Sequence, residues 1–271
     1  MTKTKKTGKL SVVLAVYNEE KNLPICLDSV KNLADEIVIV DGSSTDKTVE
    51  VAKKYGSKII ETTNKPMFHI NKQMAIDAAS YDWILQLDAD ERVSPQLAGE
   101  IAEIVKNGSK SNGFWLPRRN FFLGRFLKKG GQYPDPIIRL FKKGKGHLPC
   151  VTVHEQVEID GEVGWVKNDL IHIADISFSR YLLRYNRYTT EMAVALEKAN
   201  LKINFLTGFN YLLIKPISWF VLTFFRHKGF VDGFPGFVFS FFSSLRFAVS
   251  YIKYWEKKNS IFLKDLTSDW Q

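Results

Sequence analysis

The stretch Trp83-Ile-Leu-Gln-Leu-Asp-Ala-Asp-Glu91 places three acids directly after five uncharged, mainly apolar residues. An apolar run of this length predicts a strand that is buried on both faces. Asp88 and Asp90 would then lie at the carboxyl end of that strand, which is where open α/β sheets bind their ligands. The stretch therefore predicts both a type of fold and the place of a site.

Similar apolar runs precede this stretch, and helix-like segments separate them. We predict strands at Leu10–Val16, Glu36–Val40 and Lys58–Ile60, and helices at about residues 20–31, 47–55 and 70–79. This alternation is typical of β-α-β units, so it predicts an α/β fold with a parallel sheet covered by helices on both faces. Between Gly113 and Trp165, Gly- and Pro-rich loops break up further strand-like pieces (Phe114–Leu116, Ile137–Phe141, Val151–Val153), which predicts a mixed extension of the sheet.

Length and composition fit one α/β domain with a smaller appendage. The chain has 271 residues, of which 45% are hydrophobic and 25% charged, as in ordinary globular proteins. We predict a catalytic domain over residues 1–178, with a nucleotide-binding half to about 95 and an acceptor half from about 96, followed by a helical region over 179–271. Two widely separated cysteines argue against a disulfide scaffold and fit a reducing compartment. The basic, polar N-terminus lacks the pattern of a signal peptide, so secretion is not expected.

The last third of the chain is both basic and aromatic. Residues 181–271 hold 12 Lys and Arg against 6 Asp and Glu, together with 13 of the 20 phenylalanines, in a chain of net charge +9. Such a composition indicates either an anionic membrane surface or a nucleic acid as partner. A nucleic-acid-binding protein would place single aromatics among basic residues, whereas these occur in continuous apolar runs. The pattern favours the membrane and no nucleic acid.

Three charge-free runs in this region are each too short to span a bilayer. They cover residues 203–214, 216–225 and 233–245, against the roughly 18 residues that a spanning helix needs. Joining the first two would place Lys215 and Pro216 in mid-membrane at considerable cost. We therefore predict helices that lie in the membrane interface, although a buried helical subdomain remains an alternative. The cations expected to face lipid phosphates are Lys198, Lys202, Arg226, Lys228, Lys253, Lys257 and Lys258.

Acidic residues follow three of the predicted strands. Glu19 comes after the first strand, Asp41 after the second, and Asp88 and Asp90 after the fourth, so that one crevice would collect all of them. In an extended segment, Asp88 and Asp90 would point to the same side and require a positive charge between them. A divalent cation that also binds a diphosphate, Mn²⁺ or Mg²⁺, meets this requirement. The alternative is a solvated acidic turn in which Asp90 or Glu91 opens the next helix.

Residues 11–23, 37–46 and 83–91 together resemble the inverting family-2 glycosyltransferases of GT-A fold. Later segments, among them Tyr133–Pro136, Arg139–Phe141, Val153–Glu155 and His172, are similar to the bacterial branch that glycosylates the lipopolysaccharide core. The resemblance covers nearly the whole chain, loosely in the tail. It implies a Rossmann-like GT-A domain, a nucleotide-sugar donor and a divalent metal. We interpret His172 as a satisfied core histidine and assign it no role in the site.

Carried over to this sequence, the resemblance implies a division of roles in donor binding. Tyr17 would pack on the nucleotide base, and Glu19 would hold the base or the ribose. Asp41 would accept a hydrogen bond from a uracil N–H group, which favours UDP over GDP. Asp88 would contact the ribose or the metal, and Asp90 would ligate the metal directly.

The remaining candidates concern the diphosphate and proton transfer. An inverting transfer needs a carboxylate that takes the proton of the acceptor hydroxyl. We favour Glu155, with His154 to orient it or to bind the donor phosphate; Asp135 is the rival base or a turn-forming residue. Lys72 faces the diphosphate or is a solvated lysine. Arg139, charged among apolar neighbours, pairs with an acid or meets a phosphate.

These residues and the resemblance predict a metal-dependent, inverting hexosyl- or heptosyltransferase. It would move sugar from a UDP-sugar to a lipid-linked saccharide, such as the lipopolysaccharide core, at the cytoplasmic face of the inner membrane. One alternative keeps the fold and replaces the acceptor by a polyprenyl phosphate. Another, of a different class, is a basic nucleic-acid-binding protein whose binding weakens steeply with salt and needs no metal.

Overall fold

The computed structural model describes residues 8–65, 67–151 and 155–259. These residues divide into two compact units. The first comprises the described residues up to Asn120 together with Tyr133–Ala174. The second comprises Phe121–Gln132 together with the described residues from Asp175 onward.

The described residues up to 198 form twelve strands and five helices. The strands are β1 (Leu10–Val16), β2 (Glu36–Asp41), β3 (Lys58–Glu61), β4 (Trp83–Leu87), β5 (Glu91–Val93), β6 (Gly113–Phe122), β7 (Arg125–Phe126), β8 (Asp135–Lys142), β9 (Gly146–His147), β10 (Glu158–Ile159), β11 (Val163–Trp165) and β12 (Leu170–His172). The helices are α1 (Leu23–Asp28), α2 (Thr48–Lys54), α3 (Phe68–Asp77), α4 (Pro95–Asn107) and α5 (Phe178–Lys198).

The main sheet is mixed, with a parallel half that carries the first four strands. Its order is β3-β2-β1-β4-β8-β6-β12-β5, with β11 and β7 each pairing with β6. β1 pairs in parallel with both β2 and β4, and β8 runs antiparallel to β4. The predicted α/β architecture with a mixed extension is confirmed. Each crossover segment brings the chain back to the edge at which the preceding strand began. The carboxyl ends of the parallel strands β1, β2 and β4 therefore lie side by side at the opposite edge.

Alternate side chains of β1 enter two cores, one on each face of the sheet. Val12 and Leu14 pack with Leu23 of α1 and Ile101 of α4 in one cluster. Val13 packs with residues of α3 in the other cluster. Apolar side chains are therefore required at every position of the central strands, which explains why these strands are continuous apolar runs in the sequence.

Several local predictions need correction. β5 follows the acidic stretch directly, so Asp90 and Glu91 do not open a helix. The helix begins at Pro95, and the side chain of Ser94 caps it by accepting the N–H of Leu97. Val151 lies in no strand, and the rest of that predicted strand, residues 152–153, falls outside the described residues. The short strands β5 and β12 were not predicted.

The second unit contains α5 and two long helices that form an antiparallel hairpin. The apolar helix, Phe205–Arg226, has 22 residues, a mean hydropathy of 1.3 in its most apolar window and only 6% of that window buried. The long helix, Gly233–Lys258, packs against it, with Tyr211 stacked on Tyr251 and Phe224 in edge contact with Phe237. By length and composition the apolar helix can cross a membrane, whereas the charge-free runs taken singly were too short. It is continuous because Lys215 and Pro216 open a new helical turn instead of ending the helix.

A buried aspartate joins two segments of the second unit. Asp232, at the tip of the hairpin, is fully buried and accepts the backbone N–H groups of Lys128 and Lys129 at 2.9 and 2.8 Å. Arg125 pairs with the same carboxylate at 3.4 Å and donates to the Asp232 carbonyl at 3.1 Å. The loop after β7 is thereby fixed to the turn between the two long helices.

Candidate active site

The acids predicted to share one crevice lie at the carboxyl edge of the parallel strands. In the sheet register, Val16 at the end of β1 pairs with Asp41 at the end of β2, and Leu14 pairs with Leu87, the residue before Asp88. The residues that follow these three strands therefore meet at one edge of the first unit.

The loops after β1 and β2 are tied together by polar contacts. The N–H of Asn18 donates to Ser44 Oγ at 2.9 Å, and the N–H of Thr45 donates to Asn18 Oδ1 at 2.8 Å. Asp41 is 3% exposed, and its carboxylate accepts the N–H and the hydroxyl of Ser44 at 2.9 and 2.5 Å. A carboxylate has about four acceptor positions, so Asp41 retains capacity for a further donor. Tyr17, which precedes Asn18 in the loop after β1, is 44% exposed and presents its ring to solvent.

Glu19 makes hydrogen bonds to residues at the beginnings of α1 and α2. Its Oε2 accepts the side-chain N–H of Asn22 at 2.7 Å, and its backbone N–H donates to Thr48 Oγ1 at 2.7 Å. The two contacts join the beginnings of α1 and α2. Glu19 thus holds the loop that carries Tyr17, in addition to any contact with a ligand.

Asp88 lies between two cations. Lys72 Nζ is 2.5 Å from Oδ1, and Arg139 Nη2 is 2.6 Å from Oδ2. Burial would raise the pKa of Asp88, but the charges and hydrogen bonds of Arg139 and Lys72 outweigh it and hold the pKa far below its usual range. Lys72 itself is only 9% exposed, so the alternative of a solvated lysine is wrong.

Arg139 is enclosed by acceptors. Its Nη2 also lies 2.8 Å from Glu91 Oε1, and its Nη1 donates to the side-chain oxygen of Gln86. The side chain of Glu91 is fully buried, and that of Arg139 is 5% exposed. Of the two predictions for Arg139, the structure shows pairing with acids.

Asp88 and Asp90 do not share one partner. The prediction of an extended segment is wrong, because the N–H of Glu91 donates to the carbonyl of Asp88 at 2.9 Å and closes a turn. Asp90 instead faces His172, with 3.5 Å between Oδ2 and Nε2. Burial would raise the pKa of Asp90, but the hydrogen bond and charge of His172 lower it below the usual value.

His172 lies next to Asp90, although the sequence interpretation gave it no place in the site. β12 pairs with β5 so that His172 is opposite Glu91, and the N–H of Ile173 donates to the carbonyl of Asp90 at 2.9 Å. Asn120 Oδ1 lies 2.6 Å from Nδ1, which orients the ring with Nε2 toward Asp90. Only the pairing of two three-residue strands from distant parts of the chain brings His172 here, and no local pattern encodes that pairing.

Asp135 is held by three hydrogen bonds on a single oxygen. Arg118 donates to Oδ2 from Nε and Nη2 at 3.0 and 2.6 Å, and Asn120 donates from Nδ2 at 3.0 Å. Arg118 also lies 3.4 Å from Glu91, so Asp135 is joined to the same network as Arg139. Three donors therefore already occupy Oδ2 of Asp135.

Glu155 is placed beside α3. Its Oε1 accepts the N–H of Val151 at 2.7 Å, and its Oε2 is 4.0 Å from Nδ1 of His69. His69 precedes Lys72 by three positions on α3, so the two side chains share one face of that helix. One helix face therefore contacts both Glu155 and Asp88. His154 lies outside the described residues.

The side chains of Asp90 and His172 fit two ligand positions of a divalent cation, which would need further ligands from elsewhere. Among the described residues, no group of three or more His, Cys, Asp and Glu side chains is arranged to hold a metal. Asp90 and His172 supply one carboxylate and one imidazole, which Mn²⁺ accepts. Diphosphate oxygens are the natural source of further ligands, because such ions bind through a few protein groups and the substrate phosphates.

Comparison with known proteins gives one consistent result. Residues 11–154 match the glycosyl transferase family 2 profile. An uncharacterized glycosyltransferase of Rickettsia typhi is 30% identical over 89% of this chain and 86% of its own length. The lipopolysaccharide core biosynthesis glycosyltransferase LpsC of Rhizobium meliloti is 27% identical over 88% of this chain and 91% of its own length.

A solved structure shares the fold. The mannosyltransferase PcManGT from Pyrobaculum calidifontis, in complex with GDP-Man and Mn²⁺, superposes with a TM-score of 0.53 at 12% identity, covering 93% of this chain and 88% of that one. The family match spans more than half of the chain, and its segments include the edge where Asp41, Asp88 and Asp90 meet. This chain is a glycosyltransferase of family 2 with the GT-A fold.

Proposed function

We propose that this glycosyltransferase is inverting and metal-dependent, and that it moves a sugar from a UDP-sugar to a lipid-linked saccharide such as the lipopolysaccharide core. The observation that carries the proposal is the meeting of Tyr17, Asp41, Asp88 and Asp90 at one sheet edge, with His172 beside the last of them. The similarity to LpsC over most of both chains supports this class of acceptor.

Donor binding is divided among residues of that edge. Tyr17 offers an exposed ring for the base, and Asp41 retains acceptor positions for its N–H group. Asp90 and His172 would hold a divalent cation, which would supply positive charge for the leaving diphosphate. Lys72 and Arg139 fix the Asp88 carboxylate between them. Of these two cations, Lys72 lies on α3, on the same face of the helix as His69.

Glu155 is our assignment for the base. Oε1 of Glu155 accepts the Val151 N–H, and its Oε2 lies 4.0 Å from Nδ1 of His69, whereas three donors occupy one oxygen of Asp135. In the transfer, Glu155 takes the proton of the acceptor hydroxyl as that oxygen attacks the anomeric carbon. The bond from that carbon to the diphosphate breaks on the opposite face, which inverts the configuration. Asp135 would position Arg118 and Asn120.

The second unit supports an acceptor carried by a membrane. The apolar helix exposes large side chains along its length, including Phe205, Leu213, Ile217 and Phe225. Exposed apolar side chains next to basic residues are typical of proteins that lie on a lipid surface. We propose that this unit binds the cytoplasmic face of the inner membrane from one side.

Two measurements test the function. Glu155→Gln should lower the rate of sugar transfer by about 10²- to 10⁴-fold, the usual contribution of a general base, and leave UDP binding unchanged. Glu158→Gln, at an exposed acid nearby, is the matched control and should retain activity. Nearly full activity of Glu155→Gln would favour a polyprenyl phosphate acceptor, whose phosphate oxygen needs little base assistance.

Calorimetric titration tests the donor separately. Purified protein should bind UDP in the presence of Mn²⁺, and Asp41→Asn should weaken this binding. GDP is the direct competitor, because the Pyrobaculum enzyme is in complex with GDP-Man. Tighter binding of GDP would replace UDP in the proposal. Failure of both nucleotides to bind with metal would refute the proposed donor class.

A further inference from the structure

One cation of the second unit contacts aromatic rings and, among the described residues, no acid. Arg246, on the long helix, is partly buried, and its Cζ lies 4.1 Å from the centre of the Trp219 ring and 4.9 Å from that of Phe247. Among the described residues no carboxylate lies within ion-pair distance of it, and its Nε is buried without a hydrogen-bond partner. Burial lowers the pKa of Arg246, against the opposing effect of the Tyr181 and Tyr185 hydroxyls.

Lys215 is a second cation of this kind, and it also lies near the Phe247 ring. It lies halfway along the apolar helix, with Nζ 3.5 Å from the ring centre of Tyr211 and 5.9 Å from that of Phe247. It too has no carboxylate partner among the described residues. Phe247 therefore has a cation from each helix of the hairpin within 6 Å of its centre.

Other cations of this unit are satisfied differently. Lys253 Nζ lies within hydrogen-bond distance of four oxygens of α5, contributed by Asn186, Thr189 and Thr190. Ion pairs within the unit join Arg125 to Asp232, Arg184 to Asp175, Arg187 to Glu191 and Lys257 to Glu197. The contrast separates Lys215 and Arg246 from the cations that have a structural partner.

Contacts with aromatic rings do not fully compensate the positive charges of Lys215 and Arg246. A cation over an aromatic face is stabilised modestly, whereas a partly buried charge without an acid or sufficient hydrogen bonds is costly. Trp219 Nε1 and the Tyr185 hydroxyl, close to Arg246, are also buried without a hydrogen-bond partner among the described residues. An ammonium and a guanidinium within 6 Å of the same ring centre, neither paired with an acid among the described residues, supply the charge and the N–H donors that phosphate oxygens bind.

We propose that Lys215 and Arg246 form a binding site for the phosphate group of a lipid. The surroundings favour a lipid as the source, because Leu212, Leu213 and Ile214 next to Lys215 are all more than 40% exposed. Acyl or isoprenoid chains would cover these side chains while the phosphate meets the cations. Both cations lie midway along the hairpin, so the hairpin rests at the depth of the lipid headgroups instead of crossing the bilayer.

This inference rests on the proposed function only for the lipid character of the acceptor, and its test involves no sugar transfer. Full-length protein is titrated with phosphatidylcholine vesicles that contain phosphatidylglycerol, and binding is measured by sedimentation. The double variant Lys215→Gln/Arg246→Gln should bind about 30-fold more weakly, as expected from the loss of two cations at a charged surface. Lys53→Gln/Lys54→Gln removes the same charge from exposed positions of α2 and should bind as the wild type does.

Three further measurements decide whether the site exists: vesicle binding by Arg246→Lys, UDP binding by each variant, and displacement from vesicles by phosphate. Arg246→Lys keeps the charge and should recover much of the binding, and UDP binding by every variant shows that the first unit is intact. Equal vesicle binding by wild type and double variant, or an equal loss in the α2 control, would overturn the site. Displacement of wild type, but not of the double variant, from vesicles by millimolar inorganic phosphate or pyrophosphate would support a phosphate site and overturn its restriction to lipids.

Discussion

Replacing Arg139 by methionine removes the shared partner of two acids. Glu91, whose side chain is fully buried, loses its 2.8 Å contact with the guanidinium; it keeps the Asp88 N–H at 3.0 Å and, as its remaining cation among the described residues, Arg118 at 3.4 Å. Asp88 loses one of two cations but retains Lys72 at 2.5 Å and 29% exposure of its side chain. The two losses differ in size, because water can solvate Asp88 and cannot reach Glu91.

The expected destabilisation is dominated by Glu91. Removal of one partner from a buried ion pair costs about 3–5 kcal/mol, because the remaining charge is left in a medium of low polarity. Loss of a partly exposed pair costs roughly 0.2–1 kcal/mol, which sets the share of Asp88. We therefore expect Arg139→Met to lower the free energy of unfolding by about 4 kcal/mol, a large part of the roughly 5–15 kcal/mol of a whole domain.

The pH dependence has a definite sign. In the wild type the pKa of Asp88 is below its unfolded value, so the stability it contributes is present above about pH 4 and is lost as the pH falls further. In Arg139→Met, Asp88 loses the charge that most lowers its pKa, so it contributes less stability above that pH. The difference in stability between wild type and variant should thus be largest near neutral pH and shrink toward acid pH.

Urea unfolding, followed by tryptophan fluorescence near neutral pH and in mild acid, measures both effects. Arg119→Met is the matched control, since Arg119 is 37% exposed and lies 3.6 Å from Asp169; its cost should be below about 1 kcal/mol. A cost for Arg139→Met no larger than that of the control would refute the reasoning. So would a difference that grows as the pH is lowered.

Four more substitutions have definite expected outcomes. Asp90→Asn and His172→Ala should each weaken Mn²⁺-dependent UDP binding by at least about tenfold in calorimetry, leaving metal-free UDP binding unchanged; equal loss without metal would contradict their role as ligands. Asp232→Ala leaves two backbone N–H groups without their buried acceptor and should lower unfolding stability by about 1–3 kcal/mol in urea titration. Gly236→Ala would place a methyl group 2.0 Å from the Gly229 carbonyl oxygen, so its melting temperature should fall by several degrees; an unchanged value would show that the turn yields without strain.

The central strands were predictable because their signal is local. β1 and β4 have the bounds expected from the sequence, since residues buried on both faces must all be apolar and the chain must become polar where the sheet ends. The same reasoning located Asp41 and Asp88 at one edge, because parallel strands separated by helices bring their carboxyl ends together.

The hairpin of the second unit was only partly predictable. Its basic and aromatic composition indicated a membrane partner, but the runs on either side of Lys215 looked too short when read singly. In the structure, Lys215 lies over the Tyr211 ring within a continuous helix, so its charge does not end that helix. A side chain's partner on a neighbouring turn decides this, and composition does not record it.

What the sequence alone determined is the α/β order of the first unit and the edge at which its acids gather, because burial imposes a local pattern on each strand. What only the tertiary structure decided is the partner of each acid: Arg139 and Lys72 at Asp88, and His172 at Asp90. These partners lie from 16 to 82 residues away along the chain. They meet through the β4–β8 and β5–β12 pairings and the packing of α3, which depend on contacts between distant segments and leave no periodicity in the sequence.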